Sequence, residues 1–517
     1  MLSSLDLLVV ALYLVFMLII GFYTSRRPIT TLRDYALGTG GLGTGGYSLL
    51  ALVGTLVATD FGAGSTLGDA GKVFQLGLGW ILIKFTRPFF YLITGEWMAP
   101  RLLAWAHQTP GHHQWLSVGD IAKQLYGRGA ACVTGLAGLL LCVGVLGGQI
   151  GATGWLLNYC FGWNYALGIT LGFGVVIAYT VAGGIRSVVA TDMWQMCVIL
   201  FVIPFLANLA LSRALGVGGW AIFKPSAWQM LWQAVPPSHM QCTPPTMQAS
   251  DFWALIILAL LPCFEPYMTQ RILMAENTNN VRAMFRVGAG LQVLFCSMVG
   301  CAGLAGYLMY PGAEPMSILL RVIQGESQPV LLGICVVGLL AAIMSTADSV
   351  LNAASICLSR DICKSALGGR LSQAAELRLA RYSTLAIGLV AAVVAIYCTD
   401  IRELILRAGD LWVPVAVIPL WAGILGYRAS SKVFFVAVAT GQLTYWGLCY
   451  GTAHTSTLGI KLTAMLANGL AFWAARKWEH RQTPPAGPRR GPKAAKAGIA
   501  AHASNSPKAA TLHGGVS

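Results

Sequence analysis

The sequence predicts an all-α integral membrane protein with about thirteen transmembrane helices. Of its 517 residues, 56% are hydrophobic and only 10% are charged, against about 25% charged in a soluble domain. The apolar residues gather in runs of about 20, the length of a helix that crosses a bilayer. The short loops rich in Lys and Arg alternate with loops that are not, which is the pattern of a chain threading back and forth.

The expected spans are 6–24, 45–70, 77–97, 129–159, 163–183, 189–212, 250–270, 287–312, 329–359, 379–399, 402–426, 432–450 and 457–475. Arg26, Arg27 and Arg33 follow the first; Arg101, Lys123 and Arg128 follow the third. Arg186 follows the fifth; Arg271, Arg282 and Arg286 follow the seventh. The loops after the ninth and eleventh spans continue the series with Arg360, Lys364, Arg370, Arg378, Arg381, Arg428 and Lys432. All these loops lie on one side, which the positive-inside rule makes cytoplasmic. The N-terminus is then outside and the C-terminus inside, a parity that thirteen spans satisfy.

The net charge is +15, and nearly half of it comes from eight Lys/Arg against Glu479 in residues 476–508. That segment is also rich in Pro, Gly and Ala. Residues 1–475 read as a transmembrane domain and 476–517 as a disordered basic cytoplasmic tail. Anionic lipid is its natural neighbour; nucleic acid is not an expected partner. No Lys or Arg precedes the first apolar run, so a cleaved signal peptide is not expected. The 13 cysteines are scattered through apolar runs without a C-x-x-C, which fits packing thiols rather than a disulfide framework or a zinc site.

A long outer loop, 213–249, carries Pro225, Pro236, Pro237, Pro244 and Pro245. It separates two groups of five spans, about 45–212 and 250–426. The first span of one group is interrupted at "ATDFGAGS", 58–65, and the first of the other at "LPCFEPYM", 261–268. Matched Gly/Pro interruptions in two halves point to inverted repeats with a site near mid-membrane.

Five motifs stand out. In "LVATDFGAGSTLG", 56–68, Gly62 and Gly64 weaken the helix beside Asp60. An unwound turn frees carbonyls for a small cation, and acids inside a membrane are usually functional; glycine for close packing and an Asp60 paired to a basic neighbour is the plainer reading. In "AAIMSTADS", 341–349, Ser345, Asp348 and Ser349 share a helical face and Thr346 lies one step around. Hydroxyls that bond back to helix carbonyls account for the serines and the threonine, but not for Asp348. In "YTVAGGIRSVVATDMWQ", 179–195, a Gly183-Gly184 turn leads to Asp192 and Gln195, where an acid also suits a helix start. Glu265-Pro266, followed by Tyr267, Thr269 and Gln270, sets an acid beside backbone that proline frees. It reads as a solute subsite, or as an acid neutralised by Lys84 or Arg87. "GLGTGG", 41–46, matches a dinucleotide fingerprint only in form, because no strand precedes it. The sequence shows no Walker loop, no nucleophile–base pattern and no metal-ligand cluster. The protein is therefore not expected to be an enzyme, to hydrolyse ATP or to carry an organic cofactor; an ion gradient is the remaining energy source.

With "GLLAAIMSTADSVLNAAS" (338–355), "YTVAGGIRSVVATDMWQ" (179–195), "TQRILMAEN" (269–277) and "ATDFGAGSTLG" (58–68), the chain resembles the sodium:solute symporter family over roughly residues 5–475. The resemblance implies a LeuT-type five-plus-five inverted core of the APC superfamily, with one extra helix before it and two after. It implies sodium-driven alternating access in the plasma membrane, or the inner membrane of a bacterium. By motif, one sodium would be held by the carbonyls of Ala58, Phe61 and Ala342 and the hydroxyls of Ser345 and Thr346. Some members bind a second sodium, and the matching positions are Asp192, Ser345, Asp348 and Ser349. Asp348 stands where those members carry a hydroxyl. Solute would bind near Thr59, Asp60, Gly64, Ser65, Glu265, Tyr267 and Thr269. Glu265 favours an amine-bearing or cationic solute such as an amino acid or choline. The expectation is thus a sodium-coupled symporter of a small polar organic solute; a proton-coupled transporter of the same fold and a transporter-like solute sensor remain open.

Overall fold

The computed structural model describes residues 3–38, 46–109, 115–244, 246–324, 330–397, 401–451 and 457–482. The GLGTGG stretch, apart from Gly46, and the basic tail beyond Gln482 lie outside the described residues. Each of the thirteen expected spans coincides with a helix or a broken helix. They are numbered α1 (Ser4–Ser25), α2 (Leu49–Asp60, resumed at Gly64–Gly68 and Asp69–Leu76), α3 (Leu78–Lys84, Thr86–Ile93, Thr94–Met98 and Ala99–Gln108 in succession), α4 (Arg128–Phe161), α5 (Tyr165–Gly183), α6 (Ile185–Leu215), α7 (arms Ala249–Leu260 and Pro266–Met274), α8 (Thr278–Met309), α9 (Leu331–Ile356, continued by Cys357–Lys364), α10 (Gln373–Tyr397), α11 (Ile401–Ile424), α12 (Ser431–Gly451) and α13 (Thr457–Gln482).

Among the described residues, eight helices are long and apolar enough to cross a membrane unaided, and the bent pair in α2 makes a ninth. The rest are short, interrupted or more polar, and span only as parts of the bundle. α9 is the axis. Every residue from Cys335 to Ile356 is buried, although this stretch carries Ser345, Thr346, Asp348, Ser349, Asn352 and Ser355. It packs against α4, α6, α1 and the first arm of α2. α10, by contrast, turns Leu385, Leu389, Val390 and Val393 outward, as a lipid-facing helix does.

Small residues let the helices approach. A Cβ on Gly154 of α4 would fall 2.7 Å from Ile169 of α5, and one on Gly172 would fall 2.4 Å from Thr153, the small-residue contact typical of membrane helices. The turn between α5 and α6 needs Gly184, whose φ is +53°.

One end of the bundle carries a buried ionic knot. Arg360, at the end of α9, donates to Asp120 of the helix Val118–Tyr126 at 3.0 Å and to Glu376 of α10 at 2.9 Å. Lys364 reaches the other oxygen of Glu376 at 2.5 Å. One basic residue departs from its expected place. Arg271 is not in a cytoplasmic loop: it lies in the second arm of α7 and is 0% exposed.

Candidate functional site

The chain of α2 stops being helical after Asp60 and resumes at Gly64, with a bend of 60°. The break has its own set of partners, because freed backbone groups inside a membrane must be satisfied. Gln149 of α4 accepts from the backbone N–H of Ala63 at 2.9 Å. Ser65 donates to the carbonyl of Asp60 at 3.1 Å, and Thr66 to that of Gly62 at 3.0 Å. Gly62 lets the break lie close to its neighbours: a Cβ there would fall 2.4 Å from Thr346 Oγ1 and 2.9 Å from Gln149 Oε1, and both side chains would have to shift.

Against this break runs the hydroxyl row of α9. Ser345 Oγ donates across the gap to the carbonyl of Ala58 at 2.9 Å and contacts Ala342 O of its own helix at 3.0 Å. Thr346 Oγ1 lies 3.3 Å from Ala342 O. Ala58, Ala342, Ser345, Thr346 and Phe61 are all buried.

One turn further along, a different group assembles around Arg271. Its Nη2 lies 3.1 Å from Thr55 Oγ1, 3.0 Å from Thr59 Oγ1 and 3.7 Å from Asp192 Oδ2, and it is hydrogen-bonded to Ser349 Oγ. Thr55 in turn donates to Asp192 Oδ2 at 2.5 Å, and the Thr59 and Ser349 hydroxyls are 2.8 Å apart. Asp348 faces another way: its Oδ2 accepts from Tyr179 at 2.6 Å and from Thr191 at 3.3 Å.

On the other side of the α2 break is a cavity of about 360 Å³, lined among others by Asp60, Ser65, Asp69, Lys84, Arg87 and Gln292. Two ion pairs border it. Arg87 grips Asp60 with two nitrogens, Nε at 2.7 Å from Oδ2 and Nη2 on Oδ1, and Gln292 adds a donor to Oδ2 at 2.9 Å. Lys84 meets Asp69 at 2.9 Å, and Trp80 donates to the same carboxylate at 3.0 Å. The two cations of α3 thus pair with acids of α2 and not with Glu265. Glu265 Oε2 has no hydrogen-bond partner among the described residues.

The break in α7 is held differently. Phe264 sits at φ +49°, a strained position for a bulky residue. Trp421 donates to Pro262 O at 2.6 Å and Trp412 to Cys263 O at 2.9 Å, both from α11. Thr269 donates to Phe264 O at 2.9 Å.

The expected site residues therefore fall into separate groups. Ala58, Phe61, Ala342, Ser345 and Thr346 come together at the α2 break. Asp192 and Ser349 surround Arg271, Ser345 joins the first group instead, and Asp348 bonds to Tyr179 and Thr191. Of the expected solute residues, Asp60 and Ser65 line the cavity, and a Cβ on Gly64 would meet nothing within 4 Å. Thr59 points into the arginine group, while Glu265, Tyr267 and Thr269 stand at the α7 break. Sequence reasoning missed Gln149, Thr55, Arg271, Trp412 and Trp421. A lone glutamine in a Gly-rich span was a signal for the first. The need of Asp192 and Asp348 for a counter-charge was a signal for Arg271.

The model of the sodium:solute symporter family matches residues 42–407. The high-affinity proline transporter PutP of Bacillus subtilis (strain 168) is 25% identical over 403 residues, covering 73% of this chain and 78% of that protein. A sodium/proline symporter of Staphylococcus aureus (strain JH9) is 24% identical over 419 residues, covering 75% and 74%. Among solved structures, a Na+-coupled sialic acid symporter in a substrate-bound outward-open state superposes with a TM-score of 0.74 at 18% identity, over 92% of this chain and 98% of that one. The nucleobase-cation-symport-1 family transporter Mhp1 superposes with a TM-score of 0.55 at 13% identity, over 89% and 97%. These likenesses give the fold, which is the LeuT type.

Proposed function

The chain belongs to the sodium:solute symporter family, and from that premise we propose that it imports a small zwitterionic solute, an amino acid of the proline kind, together with sodium. It is a multi-pass membrane transporter and not an enzyme. Its working place is the plasma membrane, with the N-terminus outside, and the groups 45–212 and 250–426 act as its two inverted repeats.

The observation that carries the solute class is the Asp60–Arg87 pair on the cavity wall. A planar guanidinium binds a carboxylate with two parallel bonds. An amino acid offers a carboxylate to Arg87 and an ammonium to Asp60, and so replaces both halves of the pair at once. Choline offers only the cation and leaves Arg87 beside an uncompensated positive charge. The cavity, at about 360 Å³, is at the small end of ligand sites, which suits a solute of a few heavy atoms. The proline transport named for the relatives supports the same class.

Sodium enters at the neighbouring break. The carbonyls of Ala58, Phe61 and Ala342 and the hydroxyls of Ser345 and Thr346 supply five uncharged oxygens from two helices. On binding, the Ser345 proton turns away from Ala58 O, and both oxygens face the ion. Asp60 then links the two events, since its own carbonyl closes the break while its carboxylate borders the cavity.

The test is uptake of radiolabelled L-proline into proteoliposomes. The expected result is accumulation under an inward sodium gradient, none with potassium in its place, and a loss of at least tenfold in Arg87→Gln. Equal uptake in sodium and potassium would overturn the coupling. A proton-coupled transporter would instead accumulate solute under a pH gradient without sodium. Uptake of choline in preference to proline would overturn the solute class and leave the coupling standing.

A further inference from the structure

Most guanidinium groups described above meet acids: Arg360 reaches Asp120 and Glu376, and Arg286 pairs with Glu96. Three arginines at one corner of the bundle meet aromatic rings instead. Arg428, in the turn between α11 and α12, lies 5.1 Å from the ring centre of Trp105 on α3. Arg476 of α13 lies 5.2 Å from that of Tyr427, and its Nε donates to the carbonyl of Arg428 at 3.0 Å, which joins the two. Arg101, one turn before Trp105, lies 5.4 Å from the ring of Trp97 and donates to the Trp97 carbonyl at 2.7 Å. None of the three has an ion pair among the described residues. Glu479 of α13 accepts from the backbone N–H of Ser430 at 3.3 Å. A ring attracts a guanidinium without consuming its five N–H donors, so this corner keeps both its charge and most of its donors.

Like charges gathered in this way call for an anion. The chain that follows does not carry one: residues 483–517 add five Lys/Arg and no Asp or Glu. The surroundings say what kind of anion fits. On α13, Leu466, Leu470, Trp473 and Lys477 succeed one another at helical spacing, and all four are exposed, with Lys477 4.7 Å from the Trp473 ring. Apolar side chains, then an indole, then cations is the order of a bilayer leaflet from its acyl chains to its headgroups. We propose that this corner binds one anionic phospholipid, its phosphate held by Arg428 and Arg476 and its acyl chains lying along Leu466 and Leu470. A guanidinium matches phosphate oxygens with two parallel bonds. A basic cleft between membrane helices is a known kind of headgroup site. A choline lipid also carries a phosphate, but its ammonium would add a further cation to the three. The bound headgroup would fasten α13 to the turn between α11 and α12 and, through Trp105, to α3.

The experiment is native mass spectrometry of the purified full-length protein in detergent, with an equal mixture of dioleoylphosphatidylglycerol and dioleoylphosphatidylcholine. The wild type is expected to retain one phosphatidylglycerol, at a preference of about tenfold over phosphatidylcholine. Arg428→Gln with Arg476→Gln should bring the two lipids to about equal retention. Arg428→Gln alone changes an exposed turn residue and should cost about threefold of the preference, which keeps the test valid should the double variant not fold. Arg286→Gln removes one charge outside the corner and should leave the preference as it is. A wild type that retains both lipids equally would overturn the proposal, as would an unchanged preference in Arg428→Gln. Wild-type retention in the double variant would assign the lipid to the basic tail, and an equal loss in Arg286→Gln would assign it to overall charge; either result overturns the site. Inorganic pyrophosphate is the last arm: it should leave the lipid in place, and displacement of the lipid by pyrophosphate would make the corner a site for soluble phosphates instead.

Discussion

Ser345→Ala separates the structural role of the α2–α9 contact from its role in holding sodium. In potassium the substitution removes one buried hydrogen bond, from Ser345 Oγ to Ala58 O at 2.9 Å. A bond of this kind contributes about 1 kcal/mol net. The orphaned carbonyl is only partly stranded, because the N–H of Phe61 lies 3.3 Å from it. For a chain of this length, 1 kcal/mol moves a melting temperature by about 1 °C. In sodium the expected loss is larger. An ion present at 100 times its dissociation constant stabilises the state it binds by about 2.7 kcal/mol, or about 3 °C on the same scale. A tenfold weaker site would keep about half of that. The assay is thermal unfolding in detergent, in sodium and in potassium at equal ionic strength. The wild type should melt higher in sodium, and Ser345→Ala should show nearly the same curve in both salts. A variant that keeps the full sodium increment would refute the assignment of Ser345 as a ligand. A variant that falls equally in both salts by several degrees would make Ser345 a packing residue only.

Three further outcomes follow, two from the α2 break and one from the buried knot. Gly62→Ala places a methyl group 2.4 Å from Thr346 Oγ1 and 2.9 Å from Gln149 Oε1, so it should abolish the sodium increment and lower uptake at least tenfold. Gly64→Ala, two residues on and with nothing within 4 Å, should leave the melting temperature within a degree, and the paired melting and uptake curves check both. Glu376→Gln removes one carboxylate of the buried knot with Arg360 and Lys364; it should cost about 3 kcal/mol, seen as an equal drop in melting temperature in sodium and potassium. A drop confined to one salt would tie the knot to the ion instead.

The spans and their breaks were legible because both are one-dimensional properties. Runs of about 20 apolar residues mark spans, and Gly62-Ala63-Gly64 and Pro262 through Pro266 mark interruptions, whatever the rest of the chain does. The approach of Ser345 to Ala58 was legible only through the family motif, since 287 residues separate the two. Charge pairing was not legible. Lys84 and Arg87 had three acids within plausible reach, and only the packing of α3 against α2 selects Asp69 and Asp60. Arg271 was misplaced because a count of basic residues treats an arginine at a helix end as solvated. Four residues of helix beyond the expected end, with Asp192 and Ser349 opposite, make it a core residue instead. The capping indoles of Trp412 and Trp421 carried no signal at all: a tryptophan in a membrane helix reads the same whether it faces lipid or a freed carbonyl.

The two breaks differ in how they are held, and the difference bears on which one can answer to an ion. At α7 the free carbonyls of Pro262 and Cys263 are capped by indole N–H groups, donors with no oxygen to offer a cation. At α2 the opposing group is a hydroxyl, which can donate to Ala58 O in one state and turn a lone pair to an ion in another. A ligand shifts a conformational equilibrium only as far as it binds one state better than the other. An ion held within a single helix would bind both states alike. One held between Ala58 of α2 and Ser345 of α9 loses half of its shell when the helices part, so it favours the conformation that keeps them together. With sodium held as proposed, the α2–α9 seam is where its binding would favour one conformation over another, while the α7 break, capped by indoles of α11, offers an ion no such pair of ligands.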